Sequence, residues 1–357
     1  MRKIMIVTLY FYNNFGSVLQ AFALRKMLQR LSGRKVDILP YRPSLPEYEY
    51  FQEEPLKKLY QEKCQKFDEF RIRYLGMECG STFDLHSSNL KKMMEYDFCV
   101  VGSDIVWGRE FSGLDPVYFL QPAGTESKKI AYAASVLLDY QGNTEDDGLF
   151  ARSLSDFDAV SVRENSAVNS IQKFTDTEVQ AVLDPTLLLD VEDYRELEIE
   201  NEDMQKDSYL LSYFLTHDPA VVNYTNLLAR KLNLRVIHYF ADYPNRVFNS
   251  DAGCFAFAGP GEFLGYIKNA ACIFTNSFHG TCFSCIYRKP FYTYMAARSM
   301  LSRVRDMSYR LGLERHFFTD FRDLKKVTTK IDYSQFEQEL IIKREKSISF
   351  LKDALEV

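Results

Sequence analysis

The run Thr275-Asn276-Ser277-Phe278-His279-Gly280 concentrates chemistry-bearing side chains at one point of the chain. An apolar, strand-like segment (Cys272–Phe274) precedes it and a helical pattern follows, so the run spans a strand-to-helix turn. Asn276 and Ser277 offer hydrogen bonds and a helix cap, and the free N–H groups of a helix start attract anions. His279 would stand at that start, with a ring able to supply a proton at physiological pH. A lone histidine is more often structural. His86, His217, His238 and His316 have no comparable setting and are read that way.

Three other points share the position just after an apolar strand. Gly102-Ser103-Asp104-Ile105-Val106-Trp107 follows the strand Phe98–Val101. Gly102 permits close backbone approach, and Asp104 can take a proton or position a hydroxyl. Trp107, the single tryptophan, could stack on a sugar. An equally good reading makes Asp104 a helix cap and Trp107 core. Ser161-Val162-Arg163-Glu164 ends the next motif-bearing strand. A guanidinium there can grip a carboxylate or phosphate with two prongs, or form a salt bridge to Glu164. Near the start, Asn13-Asn14-Phe15-Gly16-Ser17 gives a tight turn at Gly16 and a cap at Ser17, which a plain strand-to-helix connection also explains.

The elements that must position these residues alternate. Lys3–Tyr10 reads as a buried strand, Val18–Leu31 as a helix ending at Gly33, and Lys35–Tyr41 as a strand, which makes a β-α-β unit. Strands resume at Tyr96–Val101, Lys129–Val136, Phe157–Val162 and Val179–Leu183, with a short helix from Glu164 to Phe174. Residues 1–189 are therefore expected to form one Rossmann-like parallel-sheet domain, with a charged helical insertion at about 42–95 capping the sheet. Eight acidic residues and one arginine between Asp190 and Asp203 suggest a linker over 190–207. A second series over 208–332 has strands at Ser208–Leu215, Leu234–Phe240, Cys272–Asn276 and Lys289–Tyr294. Its helices are at Ala220–Leu232, Gly261–Ala271 and His279–Tyr287. A long amphipathic helix, Tyr333–Leu355, closes the chain. The fold class is thus α/β with two parallel-sheet domains, and a cleft between them is expected. Ligands of such sheets bind at the carboxyl ends of the strands, where all four points lie.

Composition narrows the function. Hydrophobic residues make up 46% and charged residues 26% of 357, which is ordinary for a folded globular chain. The net charge of −5 argues against a nucleic-acid partner, which would require a basic surface. Seven cysteines include Cys282-x-x-Cys285, but no second pair or histidine follows at zinc spacing, so reduced thiols and no metal are expected. No apolar run approaches ~20 residues. The opening MRKIMIVTLY reads as a first strand, so a cytoplasmic location is expected.

Taken in order, these blocks resemble the polysaccharide pyruvyl transferases. The matching stretches are NNFGSVLQAFALRKML, YDFCVVGSDIVW, KKIAYAAS, FDAVSVRENSAV, VLDPTLLL and IFTNSFHGTCFSCIYRKPF, of which TNSFHG is the most specific. The run Ser302-Arg303-Val304-Arg305-Asp306 with Leu311-Gly312-Leu313 is similar to the family as well. The resemblance implies the architecture of the two-Rossmann-domain (GT-B) glycosyltransferases, with the last helix crossing back to the first domain. It implies transfer of pyruvate from phosphoenolpyruvate to a sugar as a cyclic ketal, with no separate cofactor. His279 then belongs to the donor site, with Asp104 and Arg163 as further catalytic positions. Gly16, Ser17, Ser103, Trp107, Asn276, Ser277, Gly280 and Arg303 are the implied substrate-binding residues. Ile105 stands where the family motif commonly has Gln, which bears on the acceptor. A sugar or a lipid-linked oligosaccharide is the implied acceptor, the latter met at the inner face of the membrane. Two other readings stand beside this one: a nucleotide-sugar glycosyltransferase of the same fold, and a non-catalytic glycan-binding member. A dinucleotide oxidoreductase is disfavoured, since NNFGS lacks G-x-G-x-x-G.

Overall fold

The computed structural model describes residues 2–43, 54–78, 88–136, 144–215, 218–240, 257–294, 298–318 and 327–357. Cys79, Cys254, His86 and His217 lie outside the described residues. The chain forms two compact units. The first comprises Met1–Pro46, Arg71–Leu189 and Leu340–Val357, and the second Glu47–Phe70 and Asp190–Glu339.

The first unit holds a six-stranded sheet of β1 (Ile4–Val7), β2 (Val36–Ile38), β3 (Phe98–Val101), β4 (Lys128–Ala134), β5 (Ala159–Val162) and β6 (Val179–Ala181). The order is β2-β1-β3-β4-β5-β6 and every pair is parallel. The segments Ile-Met-Ile-Val and Phe-Cys-Val-Val are buried throughout, as strands covered on both faces must be. From β1 the chain runs outward to β2 and then returns past β1 to β3. That reversal puts the topological switch point between β1 and β3. Helix α1 (Phe15–Ser32) begins just after β1, capped by Asn14, whose side chain accepts the Ser17 N–H. Gly33 ends it at φ 61, a left-handed conformation that costs glycine little.

Trp107 lies in the core of this unit, 2% exposed. Its ring stacks on Phe119 at 6.1 Å and meets the edges of Phe150 and Phe157 at 6.0 and 6.3 Å. Its N–H is spent on the Tyr118 carbonyl. No face remains for a sugar, so the core alternative for Trp107 is the one realised and the stacking expectation is corrected.

The second unit holds a five-stranded parallel sheet, β7 (Tyr209–Phe214), β8 (Arg235–Phe240), β9 (Cys272–Thr275), β10 (Phe291–Tyr294) and β11 (Phe317–Phe318), in the order β11-β10-β9-β7-β8. Here the reversal falls between β7 and β9. The two-residue strand β11 and the helix Arg298–Arg310 carry no strong sequence pattern and were not anticipated. The acidic stretch after Leu189 folds into short helices that bury Tyr194, Leu197 and Met204. Helix α2 (Glu54–Leu75) contributes its residues up to Phe70 to the second unit and the rest to the first. The last helix, Ser334–Leu355, is similarly divided. Within the first unit, its Ser347 hydroxyl accepts the Leu183 N–H at 2.9 Å, and Arg344 donates to the carbonyls of Leu187 and Leu189.

His316 lies against the Phe291 and Tyr292 rings, at 5.1 and 6.1 Å. Burial, aided by neighbouring Arg315, lowers its pKa to about 4. An unfolded histidine titrates near 6.5, so between those values the unfolded chain binds the extra proton. This stabilising contribution is therefore present above pH 6.5 and is lost as pH falls towards 4. In urea unfolding at pH 7.0 and pH 4.5, the wild type should lose more stability on acidification than His316→Gln. Equal losses would show that His316 is not the group responsible.

Candidate functional site

At the carboxyl ends of β1, β3, β4, β5 and β6, five polar segments meet in one hydrogen-bonded cluster. Gly102 makes the turn possible: at φ 120, a Cβ would lie 2.1 Å from the Tyr132 carbonyl oxygen. The chain then places Ser103 and Asp104, 0% and 8% exposed, beneath the strand ends. The Ser17 hydroxyl donates to Asp104 Oδ2 at 2.7 Å, which joins the start of α1 to the turn after β3. Asp104 Oδ1 accepts the Ile105 N–H at 3.0 Å, and Ile105 itself is buried. Ser103 donates to the Ala133 carbonyl and lies 3.1 Å from Asp184 Oδ2.

Arg163 holds the centre. It is 3% exposed, its Nε bonds Glu164 Oε1 at 3.0 Å, and its Nη1 bonds Asp184 Oδ2 at 3.1 Å and stands 4.0 Å from Asp104 Oδ1. Burial works against its charge, but Glu164, Asp184 and Asp104 together outweigh burial and move its pKa up. Glu164 also accepts from Ser135 at 2.7 Å, and its second oxygen has no hydrogen-bond partner among the described residues. Asp184 additionally caps the turn before Leu187 by accepting the Thr186 N–H and hydroxyl. The sequence points to Asp104, Ser103, Ser17 and Arg163, and to the Arg163–Glu164 salt bridge as the alternative that is realised here, but not to Asp184 or Ser135. Asp184 stands in the Asp-Pro pair that follows β6, a turn signal that names no partner.

Two buried polar groups brace the β1 turn. Gln20 donates to the Thr8 hydroxyl and to the Ser17 carbonyl. Arg71, 8% exposed, donates to the carbonyls of Tyr10, Phe11 and Tyr12 and to Asn13 Oδ1, all within 3.1 Å. Gly16 is buried in the first turn of α1.

In the second unit, TNSFHG forms the turn from β9 into the helix Phe278–Ile286, and every residue of that helix is buried. Ser277 is its cap: its Oγ accepts the Gly280 N–H at 3.1 Å. Its own N–H goes to the Thr275 hydroxyl, which in turn donates to the Tyr213 carbonyl. Asn276 Oδ1 accepts the Leu215 N–H at 2.8 Å, tying the ends of β9 and β7 across the switch point. Gly280 has no room for a side chain, since a Cβ would lie 2.8 Å from both Thr275 Oγ1 and a Tyr213 ring carbon. His279 is 8% exposed, with the edge of Phe278 at 5.2 Å. Arg303 falls within the helix Arg298–Arg310, but its side chain lies outside the described residues. Cys282 and Cys285 point into the interior of the TNSFHG helix's surroundings, and burial pushes the Cys285 thiol far up.

The family described as Polysaccharide pyruvyl transferase matches residues 14–295 of this sequence. The chain belongs to that family. It is a transferase family, and its residues 14–295 take in both clusters. No curated protein matches the chain. Among solved structures, it is similar to the UDP-N-acetylglucosamine 2-epimerase of Rickettsia bellii, at 10% identity and a TM-score of 0.55, covering 99% of this chain and 96% of that one. It is likewise similar to S. aureus MnaA solved with UDP, at 12% identity and TM-score 0.53, covering 100% and 97%. The Methanocaldococcus jannaschii UDP-GlcNAc 2-epimerase, solved with UDP-GlcNAc and UDP, gives 13% and 0.52, covering 97% and 99%. At these identities the likeness is one of fold, two parallel-sheet α/β units in one chain.

The cluster of this pyruvyl transferase family member yields a stability prediction. Arg163→Met would leave three buried carboxylates facing one another, and removal of one partner from a buried ion pair costs ~3–5 kcal/mol. Urea unfolding should show a loss of that order, with Arg163→Lys intermediate because one ammonium cannot serve two carboxylates from two faces. A loss below ~1 kcal/mol would mean the cluster is not held by charge.

Proposed function

We propose that this protein moves pyruvate from phosphoenolpyruvate onto a sugar of a polysaccharide, or of its lipid-linked precursor, as a cyclic ketal. The observation that carries the reading is the TNSFHG turn: a Ser277-capped helix start with His279 in its first turn, at the switch point of a parallel sheet. Phosphoenolpyruvate carries a phosphate and a carboxylate, and a helix start is suited to such charge.

The chemistry sets the roles. One sugar hydroxyl attacks the central carbon of the enol while a proton is added to the methylene carbon, which becomes a methyl group. A second hydroxyl then displaces phosphate from the same carbon and closes the ring, its proton leaving with the phosphate. His279 is assigned the proton given to the methylene carbon. Asp104, with the Ser17 hydroxyl already bound to it at 2.7 Å, is assigned the proton taken from a sugar hydroxyl. Ile105 puts an apolar side chain where the family motif commonly has Gln, and so bears on acceptor choice. No helix of the described residues is long and apolar enough to cross a membrane, so a lipid-linked acceptor would be met at the membrane surface.

A nucleotide-sugar reaction is the second reading, favoured by the UDP in structures of similar fold. Thermal unfolding separates the two. A ligand at a hundred times its dissociation constant adds about 2.7 kcal/mol of stability. Phosphoenolpyruvate should raise the midpoint and UDP should not. With an accepted glycan, phosphate release in His279→Ala should fall by roughly 10²–10⁴-fold. A shift with UDP alone would move the assignment to nucleotide-sugar chemistry, and near-normal turnover in His279→Ala would remove His279 from the mechanism.

A further inference from the structure

Helix α2 carries a buried lysine that the charged sequence around it conceals. Lys63 is 7% exposed, and its Nζ donates to the Tyr239 hydroxyl at 3.0 Å while lying 5.1 Å from the centre of that ring. One turn further on, Lys66 fixes the register of the helix by bonding both oxygens of Glu262 at 2.8 Å, and Glu262 also accepts the Gly259 N–H. Lys63 is thereby aimed at the carboxyl ends of the second sheet.

From Tyr239 a chain of contacts leads to the TNSFHG turn. Tyr239 on β8 and Tyr213 on β7 are partners in register, both buried, with ring centroids 5.3 Å apart. The Tyr213 carbonyl accepts the Thr275 hydroxyl, and that hydroxyl oxygen accepts the Ser277 N–H. The Ser277 hydroxyl oxygen accepts the Gly280 N–H, and the Tyr213 ring is one of the walls that exclude a side chain at Gly280. Burying an amine is costly, and an apolar side chain would fill this space more cheaply. Burial lowers the Lys63 pKa only to about 8, so it remains a charged donor at neutral pH.

We propose that Lys63 is a positioning residue for the Ser277–Gly280 turn, acting through Tyr239 and Tyr213. The inference rests on the reading of that turn as the donor site. Lys63 orients the Tyr239 phenol, Tyr239 packs Tyr213 in place, and Tyr213 holds the turn through the Thr275 hydroxyl on its carbonyl and through its ring against Gly280. The helix start is then set before a ligand arrives, which is where preorganisation acts.

Two readouts test it, one of them independent of activity. Hydrogen exchange should quicken by about fivefold at residues 276–281 in Lys63→Met, the loss of one ordinary hydrogen bond, while the strands β7 to β10 keep wild-type protection. Lys63→Arg should restore it, and Tyr239→Phe should match Lys63→Met, with the double variant little worse than either. In the transfer assay, Lys63→Met should raise KM for phosphoenolpyruvate by a similar factor with kcat within about twofold. Unchanged exchange at 276–281, or a rise spread evenly over the second sheet, overturns the proposal. A local rise in a protein that transfers no pyruvate would reject the donor reading and leave the positioning role standing. Transfer with unaltered exchange and KM in Lys63→Met would do the reverse.

Discussion

One guanidinium ties together the strand ends of the first unit. Arg163 is buried against Glu164 and Asp184, with Asp104 at 4.0 Å, and each carboxylate belongs to a different piece of backbone. Asp104 reports the turn after β3, Glu164 the exit from β5, and Asp184 the exit from β6. Ser17 adds the start of α1 through Asp104, and Ser135 adds the exit of β4 through Glu164. A buried ion costs several kcal/mol to desolvate and is tolerated only where opposite charge and hydrogen bonds surround it. The constraint works both ways. The arginine needs the four strand ends in register, and the strand ends need the arginine to place their carboxylates side by side.

Among the described residues, no charged side chain bonds the TNSFHG turn of the second unit. The TNSFHG turn is set by hydroxyls and by lack of space: Thr275, Ser277 and Thr281 satisfy backbone groups, and Gly280 is the size that Tyr213 and Thr275 leave. Asn276 spans the switch point to Leu215. The groups that set this helix start are neutral hydroxyls, and the N–H groups of its first turn add a positive local field. The two units therefore share a topology and differ in electrostatics.

That difference bears on what the sequence made legible. Strands β1, β3, β7 and β9 could be read because parallel strands covered on both faces are continuous apolar runs bounded by turns. The positions after them could be read too, since ligands and caps concentrate there. Trp107 could not be decided, because its partners Phe119, Phe150 and Phe157 are set by packing and not by periodicity. Lys63 sits in the charged run Lys57–Lys66, which reads as a solvated face, and only its contact with Tyr239, far along the chain, shows otherwise. Asp184 precedes a proline, a pattern that by itself marks only a turn. Its role appears once β5 and β6 are neighbours and Arg163 is 3.1 Å away. The missed residues are those whose function is defined by a partner distant in sequence.

The electrostatics also bear on the proposed donor. As a sequence feature, Arg163 offers a cation to a phosphate. In the fold it stands among three carboxylates, and these four side chains carry a formal charge of −2. A further negative charge brought to ~6 Å from such a cluster would meet a repulsion of about 5 kcal/mol at an effective dielectric of ~20. Phosphoenolpyruvate brings more than one. The same cluster is well matched to a neutral hydroxyl, which needs an acceptor oxygen and a place to lose a proton. The TNSFHG turn presents the opposite field, with backbone donors, a capped helix and an imidazole. Under the proposed function, the second unit's turn taken by itself suits a dianion better, and the first unit's carboxylates taken by themselves suit a neutral hydroxyl better. What the fold shows of Arg163 is a guanidinium occupied by carboxylates, so under that reading its part is to fix Asp104 and not to grip a phosphate.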